Sequence, residues 1–368
     1  MEKELERLLM DAVTRIEPAS VNFTDAAKNR WDNAAKPLGG LGLLEEDISR
    51  IAGMRRSLHF TLKKRALVVM CADNGIVREG VSQTGSAVTA IVAGQMAGEG
   101  TTVTIMAEQA GVDVFPVDIG MDTPGPCIDS PYKPVMKARK ILDAKIGHGT
   151  SDFAEGPAMS REQAALAMLM GINIAESLAS CGYDIICTGE MGIGNTTTSS
   201  AVASVLLGKE PETMTGRGAG LSDEGLKRKI MVIKKGIEIN SPDADDPLDV
   251  LAAVGGFDIA GLAGIFLGGA LCRLPVVIDG SISSAAALCA ARLCPDCAGY
   301  MIASHASAEP ASAALLKELG LSPLLSCGMH LGEGTGAVAA IPLLDMALAV
   351  YEKAATFEDM DIDKYEHF

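Results

Sequence analysis

Aromatic side chains are scarce in this 368-residue chain: they make up 4% of it, with a single Trp. A core of ordinary size must therefore be built from Ala, Val, Ile, Leu and Met. Basic charge is also short. Against 47 Asp and Glu stand 31 Lys and Arg, a formal net charge of −16. That excludes nucleic acid or an anionic membrane surface as the main partner, because both are held through basic patches. A small anionic ligand stays compatible with a locally basic site. Long apolar runs are missing too: the longest, Ile259–Cys272, is glycine-rich and too short to span a bilayer. Met1–Glu17 reads as a charged amphipathic helix and not as a secretory leader, so the expected location is cytoplasmic. Among nine cysteines, Cys294-Pro-Asp-Cys297 is the only C-x-x-C, with neither a second pair nor nearby histidines. No metal site is expected, and the thiols are expected to be reduced and buried.

What the chain does have is glycine, 40 residues of it, placed between short apolar runs and helical patterns. Glu2–Ile16, Thr24–Ala35 and Leu44–Met54 read as helices, with Lys36–Gly42 a Pro/Gly loop between the last two. Strands are expected at Arg65–Ala72, Val112–Ile119, Asp184–Thr188, Leu274–Ile278 and Tyr300–Ala303, with Pro323–Cys327 as a last short one. Helices are expected at Ala87–Glu99, Thr102–Ala110, Ser160–Ser180, Asp223–Asn240, Ile259–Leu271 and Ala337–Tyr351. Ser160 with Gln163 forms a capping box. Gly120–Pro157 reads as a long excursion outside the core, and Phe357–Phe368 as a loose acidic tail. Strands alternating with helices predict an α/β fold: a mostly parallel, five- or six-stranded sheet with helices on both faces.

Three loops carry the candidate chemistry. In Leu331-Gly-Glu-Gly-Thr-Gly336, Glu333 sits between two glycines just before a helix. A helix start aims N–H groups and the positive dipole end at whatever binds there, so Glu333 reads as an exposed carboxylate at a ligand site; the bland alternative is a surface Glu in a glycine turn. Asp184–Thr188 runs into Gly189-Glu-Met-Gly-Ile-Gly-Asn-Thr-Thr197 and then a helix, a phosphate-cradling arrangement. Asn195 stands where a P-loop needs lysine, which argues against an NTPase. The dinucleotide fingerprint is also incomplete, which disfavours an oxidoreductase. In Thr215-Gly-Arg-Gly-Ala-Gly220, glycines precede a helix carrying Lys227, Arg228 and Lys229, either a phosphate-binding cation set or a solvated basic face. Asp258 reads as a helix N-cap and His305 as structural. Asp73, Glu190, Asp279, His305 and Glu333 are expected to converge at one sheet edge, where open α/β sheets bind ligands.

Taken together and in order, ADNG, GEMGIGNTT, VGGFDIAGLAG, VVIDG, SHASAE and LGEGTGA resemble the nicotinate-nucleotide:dimethylbenzimidazole phosphoribosyltransferase family, from about Lys36 to Tyr351. The resemblance implies transfer of phosphoribose from nicotinate mononucleotide to a lower-ligand base, giving an α-ribotide for cobamide assembly, with no cofactor and no metal. It implies Glu333 as catalytic base and Glu190 as a second catalytic acid. Gly192, Gly194, Asn195, Thr196, Thr197, Arg217, Gly218 and Lys229 would hold phosphate and ribose; Thr84, Val92, Met191 and Leu331 would line the base. It further implies a small helical domain from 1–56 and 337–368 around an α/β domain at 57–336, in a homodimer or a heterodimer with a paralogue.

The sequence departs from the family pattern around the base. Asn74 replaces a His, Thr84-Gly85 a common Ser-Pro, Val92 a common Gln, and Ser281 and Ser284 aromatics. A changed acceptor, whether another benzimidazole, a purine or a phenol, is the expectation. The alternative is a non-catalytic paralogous subunit that supports an active partner.

Overall fold

The computed structural model describes residues 2–98 and 100–366. Met1, Glu99 at the expected end of a helix, and His367 and Phe368 of the acidic tail lie outside the described residues. Three helices open the chain: α1 (Glu2–Val13), α2 (Val21–Asn33) and α3 (Leu43–Arg55). Next come β1 (Arg65–Ala72), α4 (Ala87–Ala97), α5 (Thr102–Ala110), β2 (Val112–Gly120), β3 (Leu142–Asp143), α6 (Arg161–Ser180) and β4 (Ile185–Met191). The second half holds α7 (Asn195–Leu207), α8 (Pro211–Met214), α9 (Asp223–Asn240), α10 (Pro247–Val254), α11 (Phe257–Leu271), β5 (Val276–Ile278) and α12 (Ser281–Leu293). Last are β6 (Met301–Ala303), α13 (Ala311–Glu318) and α14 (Thr335–Lys353).

The strands form one six-stranded sheet in the order β3-β2-β1-β4-β5-β6, with every neighbouring pair parallel. From β1 the chain winds outward to β2 and β3, then returns to β4 and winds the other way. The order therefore reverses between β1 and β4, and the crevice at the carboxyl ends of those strands is where this topology places a ligand. Seven consecutive residues of β1 are buried, as a central parallel strand covered on both faces requires.

Several expectations need correcting. The sixth strand is Leu142–Asp143, inside the excursion read as lying outside the core; it pairs with β2 at Val117 and Asp118. Pro323–Cys327 is not a strand: it makes a single bridge, Leu325 to His305. Pro323 has no N–H to donate, and the chain turns away at Gly328, whose φ is +66°. Helices α10, α12 and α13 were not expected. Asp258 is not an N-cap, since α11 starts from Gly256. Nor is the tail loose at its start. Phe357 is buried, its N–H donates to Asn33 O at 3.1 Å, and its ring packs edge-on to Tyr365 at 5.3 Å. Cys294 and Cys297 are buried and unpaired, but the expectation of buried thiols fails at Cys127, Cys181 and Cys327, which are exposed.

Of the described helices, α14 alone is long and apolar enough to cross a membrane, yet it packs against α3, α5 and β4. Trp31 of α2 stacks obliquely on its Tyr351 at 5.2 Å, and Arg65 of β1 pairs with its Asp345 at 2.6 Å.

With few rings to fill space, the core gains density by close backbone approach. Helices α6 and α11 cross where a Cβ on Gly171 would run into the Gly261 carbonyl and one on Gly264 into the Met168 carbonyl. Gly264→Ala is expected to destabilise by about 1–3 kcal/mol, the usual cost of overpacking, although alanine is the better helix former. Urea unfolding measures it; an unchanged or raised midpoint would show that the helices can part without cost.

Candidate active site

A cavity of about 390 Å³ opens at the carboxyl ends of the strands. It is lined by the loop after β1 and α4, the β4–α7 turn, the loop before α9, the start of α12 and the segments after β6 and before α14.

The Glu333 loop is held in place by Asp279 at the end of β5. One carboxylate oxygen of Asp279 accepts the Gly336 N–H at 2.7 Å and the Ala337 N–H at 3.1 Å; the other accepts the Gly334 N–H at 3.2 Å. The expectation that these N–H groups serve a ligand is therefore overturned: a buried side chain takes them. Burial pushes the Asp279 carboxyl up, opposed by His305 and by these three donors. Gly336 must be glycine because a Cβ there would collide with the His305 ring, and Gly189 because a Cβ there would meet Glu333 O at 2.6 Å. The absence of a side chain on β4 thus lets the Glu333 backbone lie on the strand next to Glu190.

Glu333 itself is half-buried, not exposed, and adopts φ +62°, a left-handed conformation that a non-glycine residue holds at some cost. Its Oε2 is buried without a hydrogen-bond partner. Burial, then the charge of Asp279, raises its pKa. The backbone of Glu333 hydrogen-bonds the Glu190 carboxyl. Glu190 is pushed up to about 8, first by burial and then by Asp258. Asn195, the residue that rules out a P-loop, is the partner of both acids: its Nδ2 donates to Glu190 Oε2 and, at 3.0 Å, to Asp258 Oδ2. Asp258 is fully buried and raised by that burial to about 6.

At the glycine turn, Gly192, Gly194, Asn195 and Thr196 line the cavity at the start of α7, and Arg217 and Gly218 line it from the loop before α9. Lys229 does not line it. Its side chain is fully buried behind the wall, where Nζ donates to Thr196 Oγ1 at 2.9 Å and to Gly216 O at 3.2 Å. Burial brings its pKa down to about 8, against the opposing charge of Glu309. Thr197 is likewise buried outside the cavity, with its hydroxyl unpartnered. Arg217 is paired with Asp223.

Thr84, Val92, Met191 and Leu331 all line the cavity. Val92 lies one turn after Val88 on α4, and with Ile282 they supply apolar wall; no Phe, Tyr or Trp lines the cavity. Two of the departures noted in the sequence lie elsewhere. Asn74 is buried and accepts from Thr198 Oγ1 at 3.1 Å, tying β1 to α7, and Ser284 is buried on α12, donating to Gly280 O at 2.8 Å. Asp73 also stays out, bonded to the Asp122 N–H at 2.8 Å. Reading the sequence missed Asp258 and Glu309 as site residues. An acid two residues after a Gly-Gly pair was the available signal for the first; the second closes the SHASAE segment, and its place in that segment was its only signal. Among the described residues no group of three or more His, Cys, Asp or Glu could hold a metal ion.

For Glu190 the folded pKa lies above the unfolded one, so its contribution to stability is complete below about pH 4.5 and is lost as pH rises through about 8. Glu190→Gln is therefore expected to match the parent protein near pH 4.5 and to gain on it by on the order of a few kcal/mol by pH 9. Thermal unfolding across that range reads it; a gap that does not change with pH would mean that the fold does not raise the Glu190 pKa.

The model of the phosphoribosyltransferase family matches residues 16–362. A nicotinate-nucleotide–dimethylbenzimidazole phosphoribosyltransferase of Acetivibrio thermocellus is 46% identical over 342 residues, 93% of this chain and 94% of its own length. The protein of the same name from Ruminiclostridium cellulolyticum is 44% identical over 97% of this chain and 98% of its own. The crystal structure of CobT from Thermus thermophilus superposes with a TM-score of 0.85 at 35% identity, covering 94% of this chain and all of that one.

Proposed function

Because the chain belongs to the phosphoribosyltransferase family that those relatives share, we propose that it moves phosphoribose from nicotinate mononucleotide to a lower-ligand base, releasing nicotinate. The observation that carries the reading is the pairing of Glu333 and Glu190 in one cavity with the glycine turn of α7.

The chemistry needs little else. As the C1′–N bond to the pyridinium breaks, its electron pair returns to the ring nitrogen, and nicotinate departs without needing an acid. A nitrogen or oxygen of the incoming base bonds to C1′ from the opposite face, which gives the α-ribotide. The acceptor's proton passes to Glu333, whose pKa burial raises, which makes it a stronger base than a free carboxylate. Glu190, once ionised, offsets the positive charge that develops on the ribose. Thr196, backed by the buried Lys229, serves the phosphate. Arg217 and Gly218 complete that end, and Thr84, Val92, Met191 and Leu331 receive the base. A dimer, with itself or with a paralogue, is part of the proposal. The supporting-subunit alternative has no observation in its favour, since both acids are present and adjacent.

Glu333→Gln is expected to keep the fold and lose about 10²–10⁴ in turnover, the usual contribution of a positioned base. Nicotinate release measures it, and turnover within a few-fold of the parent would remove Glu333 from that role. The acceptor is a separate question. A wall without Phe, Tyr or Trp and without the polar group lost at position 92 discriminates weakly among rings of similar shape, because strong rejection requires a buried polar partner left unpaired. Given equal dimethylbenzimidazole, adenine and a simple phenol, the protein is expected to form more than one ribotide. Dimethylbenzimidazole ribotide as the sole product would refute the altered pocket.

A further inference from the structure

The glycine loop before α9 already holds an anion. Glu309, on the segment after β6, lines the cavity, and its Oε1 accepts the Gly218 N–H at 3.1 Å. Its other oxygen lies so close to Gly216 that a Cβ there would collide with it. The same short loop also touches the buried cation: the Gly216 carbonyl accepts from Lys229 Nζ at 3.2 Å, and a Cβ on Gly218 would lie 3.5 Å from that nitrogen. The charge of Glu309 supports the charged form of Lys229. A carboxylate thus occupies a backbone donor beside the site's buried lysine, the surroundings a phosphate oxygen would seek.

We propose that Glu309 is a built-in substitute for the phosphate: it fills the Gly216–Gly218 cradle in the free protein and must swing out when a phosphorylated ligand enters. The inference rests on the phosphate end of the reading above. The backbone around Glu309 is anchored independently, with the Ala306 N–H donating to Leu325 O at 2.8 Å and the Ala308 N–H to Met329 O at 3.1 Å. Only the side chain has to move. The half-buried carboxylate satisfies the Gly218 N–H and supports the charge of Lys229, and it makes phosphate binding an exchange of one anion for another. Every anion entering the cradle must compete with this carboxylate, so its apparent affinity is lowered by that competition.

The test uses inorganic phosphate as probe, measured by its competition with nicotinate mononucleotide in the full-length protein and in Glu309→Gln and Glu309→Ala. The first change removes the charge and keeps an acceptor for Gly218; the second removes both. Each variant is expected to bind phosphate about fivefold more tightly, the scale of one half-buried like charge removed, with alanine at least as strong as glutamine. If Glu309 is instead a strut for the loop, glutamine will leave phosphate affinity unchanged and alanine will weaken it, and the proposal falls. Phosphate that fails to compete with nicotinate mononucleotide in the parent protein would overturn the reading of the cavity itself, a result distinct from the strut outcome. A variant with a lowered unfolding midpoint is replaced by Glu309→Asp, which retracts the carboxylate by one methylene and is expected to fall between the parent and glutamine.

Discussion

The carboxylate of Asp279 holds three backbone N–H groups at the start of α14, and the arrangement of the cavity follows from that contact. A helix start has unsatisfied donors and a positive dipole end. Here a buried side chain from the end of β5 satisfies three of them. The result is a turn tied down by three hydrogen bonds, which sets Glu333 on β4 and beside Glu190. Removing the carboxylate would leave three buried donors unpaired, each costing about 1–3 kcal/mol, and would free the turn that sets the geometry of the acids.

Burial shifts the titratable groups around the cavity toward their uncharged forms. Glu190, Asp258 and Glu333 are all raised by burial, and a single amide, Asn195, bridges the first two. Lys229 is lowered by the same dehydration. These shifts have one physical source, the loss of water around a charged form, and they point the same way: acids inclined to hold protons and a lysine inclined to release one. A ligand carrying a cationic ring and an anionic phosphate would reverse both tendencies. That matches the proposed donor and gives a reason for an acid-rich site in a chain already at −16.

The shortage of aromatics has a structural counterpart. Glycines at the α6–α11 crossing bring backbones together where larger side chains would hold them apart. The same economy recurs at Gly189 and Gly336, where a missing side chain lets one loop touch another. Much of the glycine in the sequence is therefore spent on contact, not only on turns.

Local sequence determined the elements whose signals are local. The capping box at Ser160 and Gln163, the buried run of β1 and the glycine turns before α7 and α14 were legible because backbone preference and hydrophobic period act over a few residues. The parallel sheet followed from their alternation, and the convergence of Glu190, Asp279, His305 and Glu333 from its topology. Tertiary structure decided the rest. A two-residue β3 pairs only because β2 lies beside it; Ser281–Leu293 becomes a helix with no cap signal to announce it; Asn74 and Ser284 point away from the cavity that sequence position assigned them to. It also decided that Asp279 and not a ligand takes the N–H groups of α14, that Lys229 acts through Thr196, and that Glu309 reaches Gly218 across 91 residues. Each of these depends on distance between remote segments and on the exclusion of water, and neither quantity exists until the chain has closed around its core.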